Sequence, residues 1–155
     1  MTNLKFAVLG AGFWAQYQLA AWHELKGVSC AALYNRTRTK AEPLAARFAI
    51  PAVYDNAGQM LSEQRPGFVD IITDVRSHRQ FVELAAAHRV PVICQKPLAP
   101  TLADARAMAA TCQQAGVPLL VHENWRWQTP LRELKRVLDT APMGRVFRAR
   151  VTYSN

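Results

Sequence analysis

The sequence predicts an α/β fold, a three-layer α/β/α arrangement in which a doubly wound parallel sheet lies between helices. Short apolar runs of strand length alternate along the chain with segments of helical period, as expected for successive β-α-β units. A glycine-rich turn follows the first of these runs. Half of the 155 residues are hydrophobic, which is enough to build one core of ordinary domain size.

The predicted elements alternate in order along the chain. The strands cover 5–9, 29–34, 52–54, 69–73, 92–94 and 119–121. The intervening helices cover 13–25, 40–48, 56–62, 78–88 and 102–115. Thr101 is a typical N-cap for the last of these helices, because its hydroxyl can accept a hydrogen bond from a free N–H of the first turn.

Two further elements follow the sixth strand. Residues 130–138 have a helical pattern, and 145–153 alternate as a strand with Phe147, Ala149, Val151 and Tyr153 on one face. A strand with an apolar face requires a partner. We therefore expect either a further domain or pairing with a second copy, and a homo-oligomer.

Composition and charge limit the class of protein. No apolar stretch approaches the roughly 20 residues needed to span a bilayer, and no secretory signal is recognisable, which predicts a cytoplasmic protein. Cys30, Cys94 and Cys112 have no metal-site spacing and are expected to be reduced packing residues. The net charge of +8 allows a nucleic-acid-binding alternative, but no recognition motif accompanies the scattered arginines.

The glycine-rich turn is a G-x-G-x-x-A motif that opens a helix. Gly10 permits the tight turn, Gly12 lets the backbone approach a pyrophosphate, and Ala15 allows close packing of helix on strand. This motif in a strand-turn-helix context predicts a dinucleotide site. The candidate contacts in the turn are Gly10, Ala11, Gly12, Phe13 and Trp14.

The end of the second predicted strand bears on cofactor choice. Enzymes that use NAD place an acid on the ribose roughly 20 residues after the glycines, whereas this chain has Asn35, Arg36 and Arg38 there. Cations suit a 2′-phosphate, so NADP is favoured over NAD. The alternative is that these arginines are only exposed residues at a helix start.

Three more candidate positions follow later strands. Lys96, next to Gln95, comes at the end of the fifth strand, where ligands of doubly wound sheets bind; an ordinary surface lysine is the alternative. Thr73 ends the fourth strand and Asp74 follows it, and His78 begins the next helix, where it either touches the cofactor or serves the helix start. The remaining candidates are Asn124 and Trp125 after the sixth strand, which otherwise serve packing.

A metal site is not expected. His122 and Glu123 begin like a zinc helix, but Arg126 stands where the second histidine is required.

The chain resembles the glucose-fructose oxidoreductase and inositol dehydrogenase family (Gfo/Idh/MocA) in the combination of Gly10-x-Gly12-x-x-Ala15, Ile72-Thr73-Asp74-Val75-x-x-His78, Gln95-Lys96-Pro97 and Asn124-Trp125-Arg126. The resemblance implies a Rossmann-type NAD(P)-binding domain over 1–125. It also implies that 126–155 form a linker helix and the first strand of a C-terminal substrate domain.

The resemblance further implies an oxidoreductase that transfers hydride between nicotinamide and a secondary alcohol or ketone of a sugar, inositol or related polyol. Lys96 would be the catalytic lysine, and Gln95 departs from the family's usual glutamate. The family's catalytic Asp and His lie in the C-terminal domain, so this chain alone would be catalytically incomplete. A non-catalytic dinucleotide-binding or protein-interaction module is the alternative. A cis Lys96-Pro97 bond is a further expectation.

Overall fold

The structure, a computed structural model, describes residues 3–140 and 144–152. The chain forms two compact units, the first ending at His122 and the second beginning at Glu123. None of the helices within these described ranges is long and apolar enough to cross a membrane.

The first unit is built on a six-stranded, wholly parallel sheet. Its strands are β1 (Leu4–Leu9), β2 (Val28–Tyr34), β3 (Ala52–Tyr54), β4 (Phe68–Ile71), β5 (Val92–Gln95) and β6 (Leu119–His122). The order β3-β2-β1-β4-β5-β6 reverses direction between β1 and β4. This is the doubly wound Rossmann order, in which ligands bind at the carboxyl ends of the strands beside that reversal.

Helices cover both faces of the sheet, which confirms the predicted three-layer fold. They are α1 (Ala15–Glu24), α2 (Arg38–Arg47), α3 (Ala57–Gln64), α4 (Val75–Ala87) and α5 (Leu102–Ala115). One core packs α1 and α2 on alternate residues of β1 such as Phe6 and Val8. The other packs α3, α4 and α5 on Ala7 and Leu9. Side chains alternate along a strand, so β1 contributes to both cores.

The N-termini of the helices differ in how they are capped. Side chains of Asn56, Asp74 and Thr101 accept backbone N–H bonds at the starts of α3, α4 and α5, which confirms the Thr101 prediction. No side-chain cap is made at Trp14 before α1 or at Thr37 before α2. Both of these helices begin at the carboxyl edge of the sheet, directly after β1 and β2.

Several predicted boundaries need correction. Strand β4 ends at Ile71, before the predicted end at 73. Helix α4 begins at Val75 because Asp74 caps it, so His78 lies inside the helix and does not start it. Residues 144–152 contain no strand, contrary to the prediction for 145–153, since alternation alone cannot form a strand without a hydrogen-bonded neighbour. Tyr153 lies outside the described residues.

The second unit contains a short 3₁₀ helix, Trp125–Trp127, and α6, Thr129–Thr140. Helix α6 confirms the predicted helix over 130–138.

Candidate functional site

A cleft of about 810 Å³ opens at the carboxyl edge of the sheet, at the reversal between β1 and β4. It is bounded by the turns after β1, β2 and β4 and by the first turns of α2 and α4. The lining residues are Gly10, Ala11, Gly12, Tyr34, Asn35, Arg36, Thr37, Lys40, Ile72, Thr73, Asp74, Arg76, Ser77, Gln80 and Phe81. The volume suits a ligand of nucleotide size.

The three small residues of the G-x-G-x-x-A motif have different surroundings. Gly10 has φ +111°, and a Cβ there would lie 3.0 Å from the backbone of Ile72 and Thr73. At Gly12 a Cβ would meet no protein atom within 4 Å, so the backbone there faces open space. Ala15 is completely buried between α1 and the sheet. Only a residue without a side chain leaves the space beside Gly12 free for a ligand.

Asn35 fixes the turn after β1 to the end of β2. Its Oδ1 accepts from the backbone N–H of Ala11 at 3.2 Å, and its Nδ2 donates to the carbonyl of Thr37 at 2.8 Å. A carboxylate could accept the first bond but could not donate the second. The asparagine therefore shapes the wall of the cleft, and its polar atoms are used within the protein.

Cations line the cleft near the end of β2. Arg36 and Lys40 face it from the β2–α2 region and Arg76 from α4. Arg38 is not among the lining residues; its Nε lies 3.2 Å from Glu42 Oε1 in an exposed i,i+4 pair. Helix α2 begins at Arg38 rather than at 40, and this places Lys40, not Arg38, toward the cleft.

His78 is buried and is not among the residues that line the cleft. It is 1% exposed, with Nε2 3.1 Å from the carbonyl oxygen of Thr73 and Nδ1 3.1 Å from that of Leu98. The imidazole therefore ties the end of β4 to the loop after β5. A contact between His78 and the cofactor stays a prediction. Thr73 and Asp74 do line the cleft.

Lys96 is exposed directly after β5, and the Lys96-Pro97 bond is cis, as predicted. The Lys96 backbone N–H donates to Oε1 of Gln95 at 2.7 Å. Neither residue lines the cleft, but β5 neighbours β4 in the sheet, so Lys96 lies at the same carboxyl edge.

Phe13 and Trp14, two of the predicted contacts in the glycine turn, are not among the residues that line the cleft. Phe13 and Trp14 form an exposed aromatic cluster with Tyr17, with ring centroids 5.3–5.8 Å apart. Asn124 and Trp125 belong to the second unit, and their contact with a cofactor stays a prediction.

Sequence reasoning missed part of the lining, including Lys40, Arg76, Ser77 and Gln80. A usable signal was present, because residues in the first turns after β2 and β4 necessarily border a site at the reversal of strand order. Applying that rule to whole turns, and not only to motif positions, would have found them.

Asp70 is a buried acid on β4 behind this edge, at 0% exposure. Its carboxylate accepts hydrogen bonds from Trp22 Nε1 at 2.8 Å and from Gln18 Nε2 at 3.0 Å. Burial raises the pKa of Asp70 above its usual value, and these hydrogen bonds oppose the rise only in part.

The raised pKa predicts a pH dependence of stability. The native state holds the Asp70 proton more tightly than the unfolded chain. The protonated Asp70 therefore contributes to the free energy of unfolding. This contribution is fully present below the ordinary carboxyl pKa and is lost as pH rises through the raised pKa of the folded state. Urea unfolding at several pH values should show a slope in this window that is absent in Asp70→Asn. An identical slope in the variant would contradict the assignment.

The cysteines and the potential metal ligands that the structure describes form no competing reactive or metal centre. Burial raises the pKa of Cys30 and Cys94 to about 12, which suppresses the reactive thiolate. Among the described residues, no group of three or more His, Cys, Asp and Glu side chains could hold a metal ion.

The fold, the reversal of strand order and the motif geometry define a dinucleotide-binding Rossmann domain. Residues 4–123 match the model of the Gfo/Idh/MocA oxidoreductase family, which is described by its NAD-binding Rossmann fold. The chain belongs to this family, as the sequence resemblance predicted.

Two curated relatives are similar to this chain over nearly its whole length. A D-apiose dehydrogenase of Rhizobium rhizogenes is 45% identical over 153 residues, covering 99% of this chain and 44% of the relative. A D-apiose dehydrogenase of Paraburkholderia graminis is 44% identical over 151 residues, covering 97% of this chain and 40% of the relative. The chain thus spans less than half the length of either.

A solved structure is similar to this chain in both sequence and fold. An oxidoreductase from Agrobacterium radiobacter, in complex with NAD+, L-tartaric acid and magnesium, superposes with a TM-score of 0.89 at 46% identity. The match covers 93% of this chain and 42% of that one.

Proposed function

We propose that this chain is the cofactor-binding part of an oxidoreductase that moves hydride between a nicotinamide cofactor and a secondary alcohol or ketone of a sugar, inositol or related polyol. The observation that carries the proposal is the open space at Gly12, at the reversal of strand order. There a bound pyrophosphate would meet backbone N–H groups and the uncapped start of α1. The two D-apiose dehydrogenase relatives support a sugar-like substrate.

The residues present fit a dinucleotide. Gly10, Ala11 and Gly12 would hold the pyrophosphate, and Arg36 and Lys40 would face the adenosine ribose from the β2–α2 region. Thr73 and Asp74 would border the middle of the cofactor. When bound, the nicotinamide supplies the hydride acceptor or donor.

Lys96 would serve the substrate. Its exposed ammonium at the carboxyl edge can hydrogen-bond the reacting oxygen and share the proton that leaves or joins it. The other wall of the substrate site would come from a second domain, formed by residues outside 1–125. We propose that residues 126–155 begin that domain. This explains why we expect no useful turnover from the 155 residues alone.

The test of this function combines binding and turnover. Calorimetric titration of the 155-residue chain should show binding of NADPH or NADH. The full-length gene product should then change absorbance at 340 nm with apiose, other sugars or inositols. A folded chain that binds neither cofactor would refute the proposal, and binding without turnover of any of these substrates would favour a non-catalytic dinucleotide-binding module.

We also propose that NADP is preferred. Arg36 and Lys40 supply positive charge at the place where a 2′-phosphate would lie, and no acid there would hold a ribose hydroxyl. The oxidoreductase from Agrobacterium radiobacter was solved with NAD+, so the test compares the binding of both cofactors to this chain.

The Arg36→Ala variant should reduce any preference for NADPH over NADH by about tenfold, corresponding to about 1.4 kcal/mol. Arg38→Ala is the matched control, because Arg38 pairs with Glu42 outside the cleft lining. Titration of both cofactors into both variants is the measurement. Equal effects of the two substitutions, or an NADH preference in the parent, would contradict the proposal.

For cellular setting we propose a cytoplasmic homo-oligomer. The free, largely buried thiols suit a reducing compartment, and the exposed cluster of Phe13, Trp14 and Tyr17 offers an apolar surface. Light scattering on the full-length gene product should give a mass above that of one chain.

A further inference from the structure

A continuous hydrogen-bonded network runs behind the carboxyl edge from β4 to the residue after β5. Gln18, 7% exposed on α1, lies at its centre. Its Nε2 lies 3.0 Å from Asp70 Oδ2 and 2.8 Å from His122 Nδ1. Its Oε1 accepts from Gln95 Nε2 at 2.9 Å. Within the described ranges, no buried side-chain nitrogen or oxygen lacks a hydrogen-bond partner.

The donor and acceptor roles in this network are fixed by the backbone N–H of Lys96. The backbone N–H of Lys96 can only donate, so the atom of Gln95 that faces it must be the oxygen. The amide nitrogen of Gln95 then points to Gln18 and requires an oxygen there. This in turn directs the Gln18 nitrogen toward the carboxylate of Asp70. Each amide orientation follows from the one before it.

We propose that Asp70, Gln18 and Gln95 form a positioning relay that holds the backbone at Lys96, and that this relay accommodates a single carboxylate, which the chain places at position 70. The importance of Lys96 itself rests on the proposed function. The three residues act through Lys96 and are not assigned contact with substrate.

The single-carboxylate condition follows from counting donors. A glutamate at position 95 would still accept from Lys96 N–H, but its second oxygen would face Gln18 Oε1 without a proton between them. Rotating the Gln18 amide would satisfy that glutamate and instead set an oxygen against Asp70. Two carboxylates therefore cannot both be bonded through one neutral amide.

The same argument predicts that the relay can be reversed. With asparagine at 70 and glutamate at 95, the rotated Gln18 accepts from the new amide and donates to the new carboxylate. Trp22 Nε1 can still donate to the asparagine oxygen at the place of Oδ2, and the asparagine nitrogen at the place of Oδ1, 3.2 Å from the Gln18 amide, donates to the rotated Gln18 oxygen. His122 can follow because a neutral imidazole can carry its proton on either nitrogen.

The experiment is a double-variant cycle on the full-length gene product. Gln95→Glu and Asp70→Asn should each lower kcat by about tenfold with KM for the cofactor little changed. The combined variant should recover to within about threefold of the parent. The control is Asp70→Asn combined with Gln114→Glu, which has the same net charge. Its new acid lies at an exposed position of α5, so kcat should not recover.

A second readout does not depend on activity. In the ¹⁵N-labelled 155-residue chain, hydrogen exchange of the Lys96 amide should be slow in the parent, at least fivefold faster in each single variant, and slow again in the Gln95→Glu/Asp70→Asn pair. Gln95→Ala, which adds no charge, should also speed exchange, and adding Asp70→Asn should not restore it.

The outcomes separate the two proposals. An unchanged Gln95→Glu variant, absent recovery in the reversed pair, or equal recovery in the Gln114→Glu control would overturn the relay. If the exchange pattern holds but the full-length parent turns over none of the sugars or inositols, the relay stands as a backbone support and the proposed function fails.

Discussion

Replacing Lys96 by methionine should lower kcat of the full-length gene product by about 10²–10⁴-fold, the range typical for loss of a positioned proton-transfer group. Methionine keeps much of the length of the side chain and removes its charge and hydrogen-bond donors. The dissociation constant for NAD(P) should stay within about threefold, because Lys96 does not line the nucleotide cleft. Steady-state kinetics together with calorimetry test both halves.

The matched control is Lys26→Met. Lys26 is exposed just before β2, at the amino edge of the sheet and so at the opposite end from the site. It should leave kcat unchanged. A Lys96→Met enzyme with full activity would show that the proton is handled elsewhere.

Replacing Gly12 by valine should weaken binding of both NADPH and NADH by at least about 100-fold, or about 2.8 kcal/mol. The new side chain would project into space that holds no protein atom within 4 Å. It therefore leaves the protein contacts intact and occupies the place of the ligand. The midpoint of urea unfolding without cofactor should be nearly unchanged.

Substitutions at two other glycines serve as comparisons. Gly58→Ala, inside α3 and outside the cleft lining, should leave binding unaltered. Gly10→Ala should instead reduce stability, because φ is +111° and the Cβ would press on the backbone of Ile72 and Thr73. If Gly12→Val bound cofactor as tightly as the parent, the pyrophosphate would have to lie elsewhere.

The predictable part of the fold is the part with local signals. Helix α5 matches the predicted 102–115 at both ends, because Thr101 caps its start and Gly116 adopts a left-handed conformation at its end. Helix α4 was predicted three residues late because Asp74, which follows the predicted strand, was not recognised as its cap. The strand over 145–153 rested on alternation alone, which carries no information about a pairing partner.

The candidate site likewise has features that local sequence signals predict and features that they do not. The glycine motif lies within one turn, so its position could be derived from sequence. The choice between Arg38 and Lys40 depended on where α2 begins, an error of two residues that changes which side chain faces the cleft. The hydrogen bonds of Gln18 join it to residues 52 and 77 positions away. Such contacts follow from the strand order and have no local signature.

The pattern of helix capping has a consequence for the protein without its cofactor. Helices α3, α4 and α5 carry their own side-chain caps, whereas α1, which follows the glycine turn, and α2, which follows the end of β2, do not. A ligand with phosphate groups would supply the missing acceptors at these two starts. The cofactor would then act as part of the folded architecture, and the first turns of α1 and α2 would be the places where the empty protein frays first.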